Sequence, residues 1–543
     1  MSENRRKANA TPETLLQIFT IPEAPNSTLS RIEQQLSQDL NGFLRDHIVA
    51  VEKPLDDIET DFNRSQIPEQ PRFVSDHADE LINNLVAHSV HTASPRFIGH
   101  MTSALPYFLL PLSKLMVGLN QNLVKIETSK AFTPMERQVI GMIHHLMYQQ
   151  DDAFYQQWLH SPNHSLGAFC SGGTVANITA LWVAKNRLLG PDGDFTGVAQ
   201  EGLFNALMHY QYKGLAVLVS DRGHYSLAKA ADLLGIGRKN IIAIKTDENH
   251  KVDVIEMRKK ALELEQQGIK VMAIVGVAGT TETGNIDPLA ELADLATELD
   301  CYFHVDAAWG GATMMSSDWN HLLAGIERAD SITIDAHKQM YVPMGAGIVV
   351  FKQPDTPQVI QHHANYILRE GSKDLGSHTL EGSRSGIAML VNACFDIIGR
   401  QGYEILINQS LEKARLFADM IHNADDFELV TEPELCLLTY RFNPPWLQAF
   451  LSMASDEQIQ AVNEELNHLT QVIQKRQREA GKTFVSRTTL TPTRYQRQAI
   501  IVFRVVLANP LTTKTILSEV LKEQREIAST LTQSVNKLHK LTA

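Results

Sequence analysis

The sequence predicts an α/β fold whose large domain is built on a mostly parallel sheet, and three observations lead there. Short apolar, β-branched runs alternate with helical patterns through the middle of the 543-residue chain, the signature of crossover units. No self-similar period runs through the sequence, which argues against a solenoid or propeller. The last third changes character, with fewer strands and long amphipathic helices, as expected of a smaller α+β domain.

Taken in order, residues 1–75 are polar and helical in pattern, broken at Pro54 and at Pro68-Glu69-Gln70-Pro71. The strands of the large domain are expected at Leu215–Ser220, Ile241–Lys245, Val271–Ala278, Tyr302–Ala307, Ser331–Asp335 and Gly347–Phe351. Helices are expected between them, including Val252–Gln267 and Pro288–Leu299, the latter with Asp287 as N-cap and Pro288 at the first helical position. Further on, Leu435–Arg441 and Ala499–Leu507 read as strands, with helices at Asp456–Glu479 and Lys514–Leu538. The expected division is a helical N-terminal segment (1–110), a large domain (111–400) and a small C-terminal domain (401–543). In sheets of this kind ligands gather beyond the carboxyl ends of the strands.

Composition narrows the class. Hydrophobic residues make up 43% of the chain and charged residues 20%, with a formal net charge of −13. That is an ordinary globular balance, and an acidic surface is ill suited to neutralising phosphates, so no nucleic-acid partner is expected. Cys170, Cys301, Cys394 and Cys436 stand far apart and match neither a zinc site nor a disulfide framework. The N-terminus lacks the apolar core of a secretory signal. The most apolar long window, Ala104–Leu119, is interrupted by Pro106, Pro111, Ser113 and Lys114, short of a membrane span. A reduced, cytoplasmic protein with no membrane partner is expected.

Four constellations fall at strand ends. Cys170-Ser171-Gly172-Gly173-Thr174 leads into a helix. Its glycines let backbone N–H groups approach an anion, the helix N-terminus adds positive potential, and Ser171 and Thr174 add hydroxyls. Asp221-Arg222-Gly223-His224-Tyr225-Ser226 follows a strand and puts His224 where it could stack on a flat ring or move a proton. In His304-Val305-Asp306-Ala307-Ala308 alternate residues share a face, and Asp306 needs a cationic partner, because a buried carboxylate is costly unless paired. Asp335-Ala336-His337-Lys338 closes the next strand, and a lysine in a low-dielectric crevice can form a Schiff base with an aldehyde.

Each has a bland reading when taken singly: a capped turn, a structural histidine, a strand-end cap, a solvated lysine. Jointly they supply what pyridoxal 5'-phosphate requires. The cradle takes the phosphate, the histidine stacks on the ring, the carboxylate keeps the pyridine nitrogen protonated, and the lysine makes the Schiff base. A metal held by His304, Asp306 and His337 is geometrically conceivable but is the weaker reading, so no metal is expected. Gly235-Ile236-Gly237 and Gly345-Ala346-Gly347 lack the third glycine of a dinucleotide fingerprint.

At these residues the chain resembles the group II pyridoxal-dependent decarboxylases, the family of glutamate and aromatic amino-acid decarboxylases. The resemblance is carried by Ser171–Asn177, Asp221–Ser226, Gly279-Thr280-Thr281 through Asp287-Pro288, His304–Gly311 and Asp335–Lys338. Ser94–His100 and Gly382-Ser383-Arg384 add to it. Phe97–Pro106 and Asn120–Glu136 resemble in particular the proteobacterial members that decarboxylate aspartate at C1 to β-alanine for pantothenate. Members of that group are often labelled glutamate decarboxylases, so 4-aminobutyrate production is the alternative. Another pyridoxal enzyme, such as a transaminase, aldehyde synthase or sulfinate decarboxylase, is a further rival.

The resemblance implies a type I, aspartate aminotransferase-like fold and a homodimer with active sites at the interface, the N-terminal segment helping to form it. It implies Lys338 as the Schiff-base lysine, Asp306 as the pyridinium partner and His224 as the ring-stacking base. It further implies Ala308 on the other ring face, with Ser171, Gly172, Gly173 and Thr174 on the phosphate. Thr280 and His337 would be additional cofactor contacts. Tyr366, on the segment after the lysine, would return the proton to Cα. Arg96 and His100, with Lys125, are the candidates for the substrate's distal carboxylate.

Overall fold

The computed structural model describes residues 11–12, 25–48, 52–362 and 371–542. Its large sheet has seven strands: β1 (Gly167–Cys170), β2 (Gly214–Ser220), β3 (Ile241–Ile244), β4 (Ile269–Val277), β5 (Tyr302–Asp306), β6 (Ser331–Asp335) and β7 (Gly347–Phe351). They lie in the order β1-β7-β6-β5-β4-β2-β3. Strands β6, β5, β4, β2 and β3 pair in parallel, whereas β7 runs antiparallel to both β6 and β1. The reason lies in the connection: residues 336–346 contain no helix and are too few for a crossover, so the chain must return in the opposite direction.

Helices cover both faces. Those that matter here are α1 (Leu109–Leu119), α2 (Phe132–Tyr148), α3 (Gly173–Leu188), α4 (Ser226–Leu233), α5 (Val254–Gln266), α6 (Leu289–Glu298) and the long α7 (Ala388–His422). Alternate strand residues feed two apolar layers. Ala216, Leu218 and Ile274 face one, while Leu215, Val217, Val219, Ala273 and Val275 face the other, as the two-residue period of a strand requires. A second sheet of β8 (Phe427–Thr431), β9 (Leu437–Phe442), β10 (Ser486–Leu490) and β11 (Ile500–Val506) is antiparallel throughout, in the order β10-β11-β9-β8. Helices α8 (Asp456–Ala480), α9 (Lys514–Ser529) and α10 (Thr532–Thr542) complete it.

The structure departs from the sequence expectations at three places. Helix α6 begins at Leu289 with Pro288 as its N-cap, and no cap bond comes from Asp287. The Asp287 carboxylate instead accepts the backbone N–H groups of Val252 and Val277, each at 2.9 Å, and burial raises its pKa to about 7. The single C-terminal helix expected over Lys514–Leu538 is two helices. Ser529 and Thr530 turn their hydroxyls onto the carbonyls of Glu526 and Ile527, competing with the helical ladder. Strands β1, β8 and β10 are additional to those expected. Among the described residues no helix is long and apolar enough to cross a membrane.

One buried ion pair ties the segment after Lys338 to helix α2. Glu136 on α2 is fully buried and takes both Arg384 Nη groups, at 2.6 and 2.5 Å. Breaking such a pair strands a buried charge, at a cost of about 3–5 kcal/mol. Arg384→Met is expected to lower the unfolding free energy by about that much, measured by urea denaturation followed by far-UV circular dichroism. A loss under about 1 kcal/mol, the worth of an exposed pair, would show that the pair carries no such load.

Candidate active site

The carboxyl ends of β2, β4, β5 and β6 converge on a cleft of about 350 Å³. One wall is the turn between β1 and α3. Here space dictates glycine: a Cβ on Gly347 would stand 2.4 Å from the backbone carbon of Gly172, and one on Gly173 would stand 2.8 Å from Asp335 Oδ2. The first turn of α3 presents its unsatisfied N–H groups at this wall. The Ser171 N–H donates to the Glu381 carboxylate at 2.9 Å, so the turn already receives an oxyanion. That is the chemistry a phosphate ester asks of it.

Beside the turn, Lys338 Nζ lies 3.1 Å from Asp335 Oδ2, and His337 Nε2 lies 3.6 Å from the same oxygen. Asp335 Oδ1 and His337 Nδ1 are buried without a hydrogen-bond partner. Burial chiefly lowers the His337 pKa, against the opposing pull of Asp335. A donor-rich turn, unsatisfied buried polar atoms and a single lysine in one cleft fit a phosphorylated aldehyde such as pyridoxal phosphate.

The floor is Asp306, at the end of β5. Its Oδ2 accepts from Asn177 Nδ2 at 2.8 Å and its Oδ1 from the Ala308 N–H at 3.2 Å, so both oxygens are fixed. His304, two residues back, is fully buried with its pKa lowered to about 4, by burial first and against the pull of Asp306. It bonds Asn177 Oδ1 at 3.1 Å and Ser331 Oγ at 2.8 Å and does not line the cleft. His224 sits over the cleft after β2, its pKa lowered mainly by burial and raised by Asp306.

Ser171, Gly172, Gly173, Thr174, His224, Asp306, Ala308, His337 and Lys338 all line this cleft. Others depart from expectation. Thr280 is fully buried with its hydroxyl on Thr283 at 2.8 Å, and its neighbour Thr281 lines the cleft instead. Arg96 lies outside the lining and is held by Glu519. Lys125 pairs with Glu127 at 2.7 Å. His100 is exposed and outside the lining. It follows Gly99, whose carbonyl accepts from Arg504, and its pKa is lowered by desolvation first, then by the charges of Arg504 and Lys338. Tyr366 lies outside the described residues.

Two buried arginines were missed, Arg222 in the lining and Arg504 outside it. Arg222 lines the cleft nearly buried, with Nη2 on Thr491 at 3.4 Å, Nε without a hydrogen-bond partner, and Asp221 no nearer than 3.7 Å. Arg504, on β11, bonds Thr281 O, Gly99 O and Ser486 Oγ. Burial lowers its pKa to about 10 despite Glu282. The signals were present. Arg222 belongs to a motif already singled out, and Arg504 is the one charge in the apolar run Ile500-Ile501-Val502-Phe503-Arg504-Val505-Val506, a costly placement unless the charge is used.

Comparison with known proteins agrees with this geometry. The family model described as "Pyridoxal-dependent decarboxylase conserved domain" matches residues 56–443. The chain is 66% identical to the aspartate 1-decarboxylase of Aliivibrio fischeri over 97% of each sequence. It is 29% identical to the human acidic amino acid decarboxylase GADL1, over 68% of this chain and 67% of that one. Among solved structures, mouse CSAD superposes with a TM-score of 0.77 at 24% identity, covering 91% of this chain and 98% of that one. Rice TDC with PLP and tryptamine gives 0.78 at 18% identity, covering 94% and 100%. These likenesses establish the type I fold of pyridoxal enzymes. With the family model spanning most of the sequence and a relative two-thirds identical along nearly its whole length, the chain belongs to the group II pyridoxal-dependent decarboxylases, carboxy-lyases that work with pyridoxal 5'-phosphate.

Proposed function

We propose that the chain decarboxylates L-aspartate at C1, releasing CO₂ and β-alanine. The observation that carries this reading is the 66% identity to an aspartate 1-decarboxylase across 97% of both chains. Arg222 supports it, as a buried guanidinium in the cleft lining, its Nε without a hydrogen-bond partner, suited to a substrate carboxylate. Arg504 lies outside the lining and bonds the carbonyl of Thr281, which lines it. His100, next to the Gly99 carbonyl that Arg504 bonds, is a further candidate contact. Arg96 is the weakest, being engaged by Glu519.

Bound pyridoxal phosphate supplies an electron-accepting ring that takes up the electron pair of the broken C–CO₂ bond. The chain does the rest. Ser171, Gly172, Gly173 and Thr174, with His337, would hold the phosphate. Lys338 would supply the amine that holds the cofactor's aldehyde. Asp306 would set a fixed negative charge against the ring nitrogen, and His224 and Ala308 would hold the ring. Tyr366, by its position after Lys338, is our candidate for returning a proton to Cα.

A cytoplasmic homodimer with sites at the interface is part of the same proposal. Met344, at the cleft, is 64% exposed. Tyr107 and, on α1, Leu115 and Val117 present a further apolar surface to solvent, which a second copy would cover.

The test is product analysis of the purified, cofactor-loaded protein given L-aspartate and L-glutamate in equal amounts. One methylene in a pocket is worth about 1–3 kcal/mol, so β-alanine is expected to exceed 4-aminobutyrate by about tenfold or more. An excess of 4-aminobutyrate would overturn the aspartate reading in favour of glutamate.

A further inference from the structure

Along one wall of the cleft runs a line of side chains that the decarboxylase reading does not itself call for. Asn177, in the second turn of α3, lines the cleft, is buried and meets three of them. Its Nδ2 lies 2.8 Å from Asp306 Oδ2 and 2.9 Å from Ser226 Oγ, and its Oδ1 lies 3.1 Å from His304 Nε2. A carboxylate only accepts, so the atom facing Asp306 must be the NH₂ group, and the amide has one orientation. Both amide protons are then spent, one on Asp306 and one on Ser226.

The consequence passes along the line. Ser226 Oγ, receiving a proton from Asn177, has its own O–H left to give. Its neighbour at 2.8 Å is His224 Nδ1. The same nitrogen also faces the Ser226 backbone N–H at 3.3 Å, which can only donate. Two donors aimed at Nδ1 leave it as an acceptor, so the ring proton belongs on Nε2. On the other side, His304 meets an acceptor at each ring nitrogen, Asn177 Oδ1 at Nε2 (3.1 Å) and the Ser331 carbonyl at Nδ1 (3.1 Å), with Ser331 Oγ also 2.8 Å from Nδ1, so the two oxygens compete for its one proton.

We propose that Asn177 is a positioning residue for the proton-bearing groups of the active site: through Ser226 it holds His224 as a neutral imidazole protonated on Nε2, while its NH₂ group pins Asp306 Oδ2 directly. His224 then offers the cleft a hydrogen-bond donor and not a free base. Protonating Nδ1 would set it against the Ser226 backbone N–H and force the Ser226 hydroxyl to turn and accept, so an imidazolium at His224 is disfavoured as the source of the proton returned to Cα. The groups acting on His224 charge are Asp306 and Asp335, which favour the cation, and Lys338 and Lys229, which oppose it. Desolvation is the largest influence and also opposes it. The tilted Tyr225 ring packs beside it at 4.2 Å. The proposal rests on the cofactor reading of the cleft but not on which amino acid is the substrate.

The test is ¹⁵N NMR of the cofactor-loaded, histidine-labelled full chain, with His224 assigned by difference from His224→Gln. The expected result is the neutral Nε2–H tautomer at pH 7. In Ser226→Ala, which keeps the backbone donor and loses the hydroxyl, the protonation midpoint of His224 is expected to rise by about one pH unit, the worth of one hydrogen bond to the neutral form. Asn177→Leu should produce a similar rise, and it should also shift the pH dependence of the cofactor's visible absorption band, because Asp306 loses a donor. Either the Nδ1–H tautomer or an imidazolium in the wild type at pH 7 would overturn the proposal. So would a His224 midpoint left unmoved in Ser226→Ala. Since no substrate is present, failure of the aspartate reading would leave these results untouched.

Discussion

Lys338→Ala is expected to abolish decarboxylation. Lys338 is the only lysine among the described residues that lines the cleft, so no other amine stands ready to form and release the bond to the cofactor's aldehyde. Its place is set by the strand: β6 ends at Asp335, the Lys338 N–H closes a turn onto the Asp335 carbonyl at 3.2 Å, and Nζ returns to Asp335 Oδ2. Nucleophile and proton-transfer groups of this kind each contribute about 10²–10⁴-fold, and this one serves substrate entry and product exit alike. The purified variant should show less than about a tenth of wild-type turnover, on the scale where each 1.36 kcal/mol is tenfold. It should also lack the visible absorption band of a lysine-bound cofactor. Turnover above that level, with the band intact, would remove Lys338 from its assigned role.

How far this site could be read from sequence depended on what kind of information each part needs. The strand-end motifs were legible because they are local. Cys170–Thr174, His304–Ala308 and Asp335–Lys338 each carry their chemistry within a few residues of a strand terminus, and parallel topology brings such termini together. Strands β6 and β7 were legible to the residue, being short, apolar and bounded by turn residues. Asp287 was misread because its N-cap position is a local pattern, whereas its actual partners, Val252 and Val277, come from separate segments. Arg504 was missed for the same kind of reason: it reaches Thr281 and Gly99 from the second sheet, a register no spacing rule encodes. Arg96 was attractive as a cation beside a matched motif, yet only the fold shows it engaged by Glu519 on α9. The sharing of Asn177 between Asp306, Ser226 and His304 is likewise a product of packing α3 against β5 and α4.

Asp306→Ala is expected to be nearly as damaging as loss of the lysine, for an electrostatic reason. The carboxylate sits at the end of a strand buried on both faces, with only 6% of the residue exposed, and its oxygens are pinned by Asn177 Nδ2 and the Ala308 N–H. A charge held this way needs no reorganisation when electron density moves into the ring, which is where fixed dipoles and charges are most effective. Asp306→Asn separates shape from charge. It keeps the volume, but one of its two polar ends must present an NH₂ to a donor, either Asn177 or the Ala308 N–H, so it loses both the charge and a hydrogen bond. Removing one preorganised electrostatic group typically costs about 10²–10³-fold in kcat. Asp306→Asn is expected to fall at least that far, and Asp306→Ala to show no measurable turnover. The measurement is kcat by CO₂ release or product amine, with cofactor binding followed separately by absorbance so that lost affinity is not mistaken for lost catalysis. If Asp306→Ala binds cofactor and retains more than about a tenth of wild-type kcat, the ring nitrogen does not depend on this carboxylate.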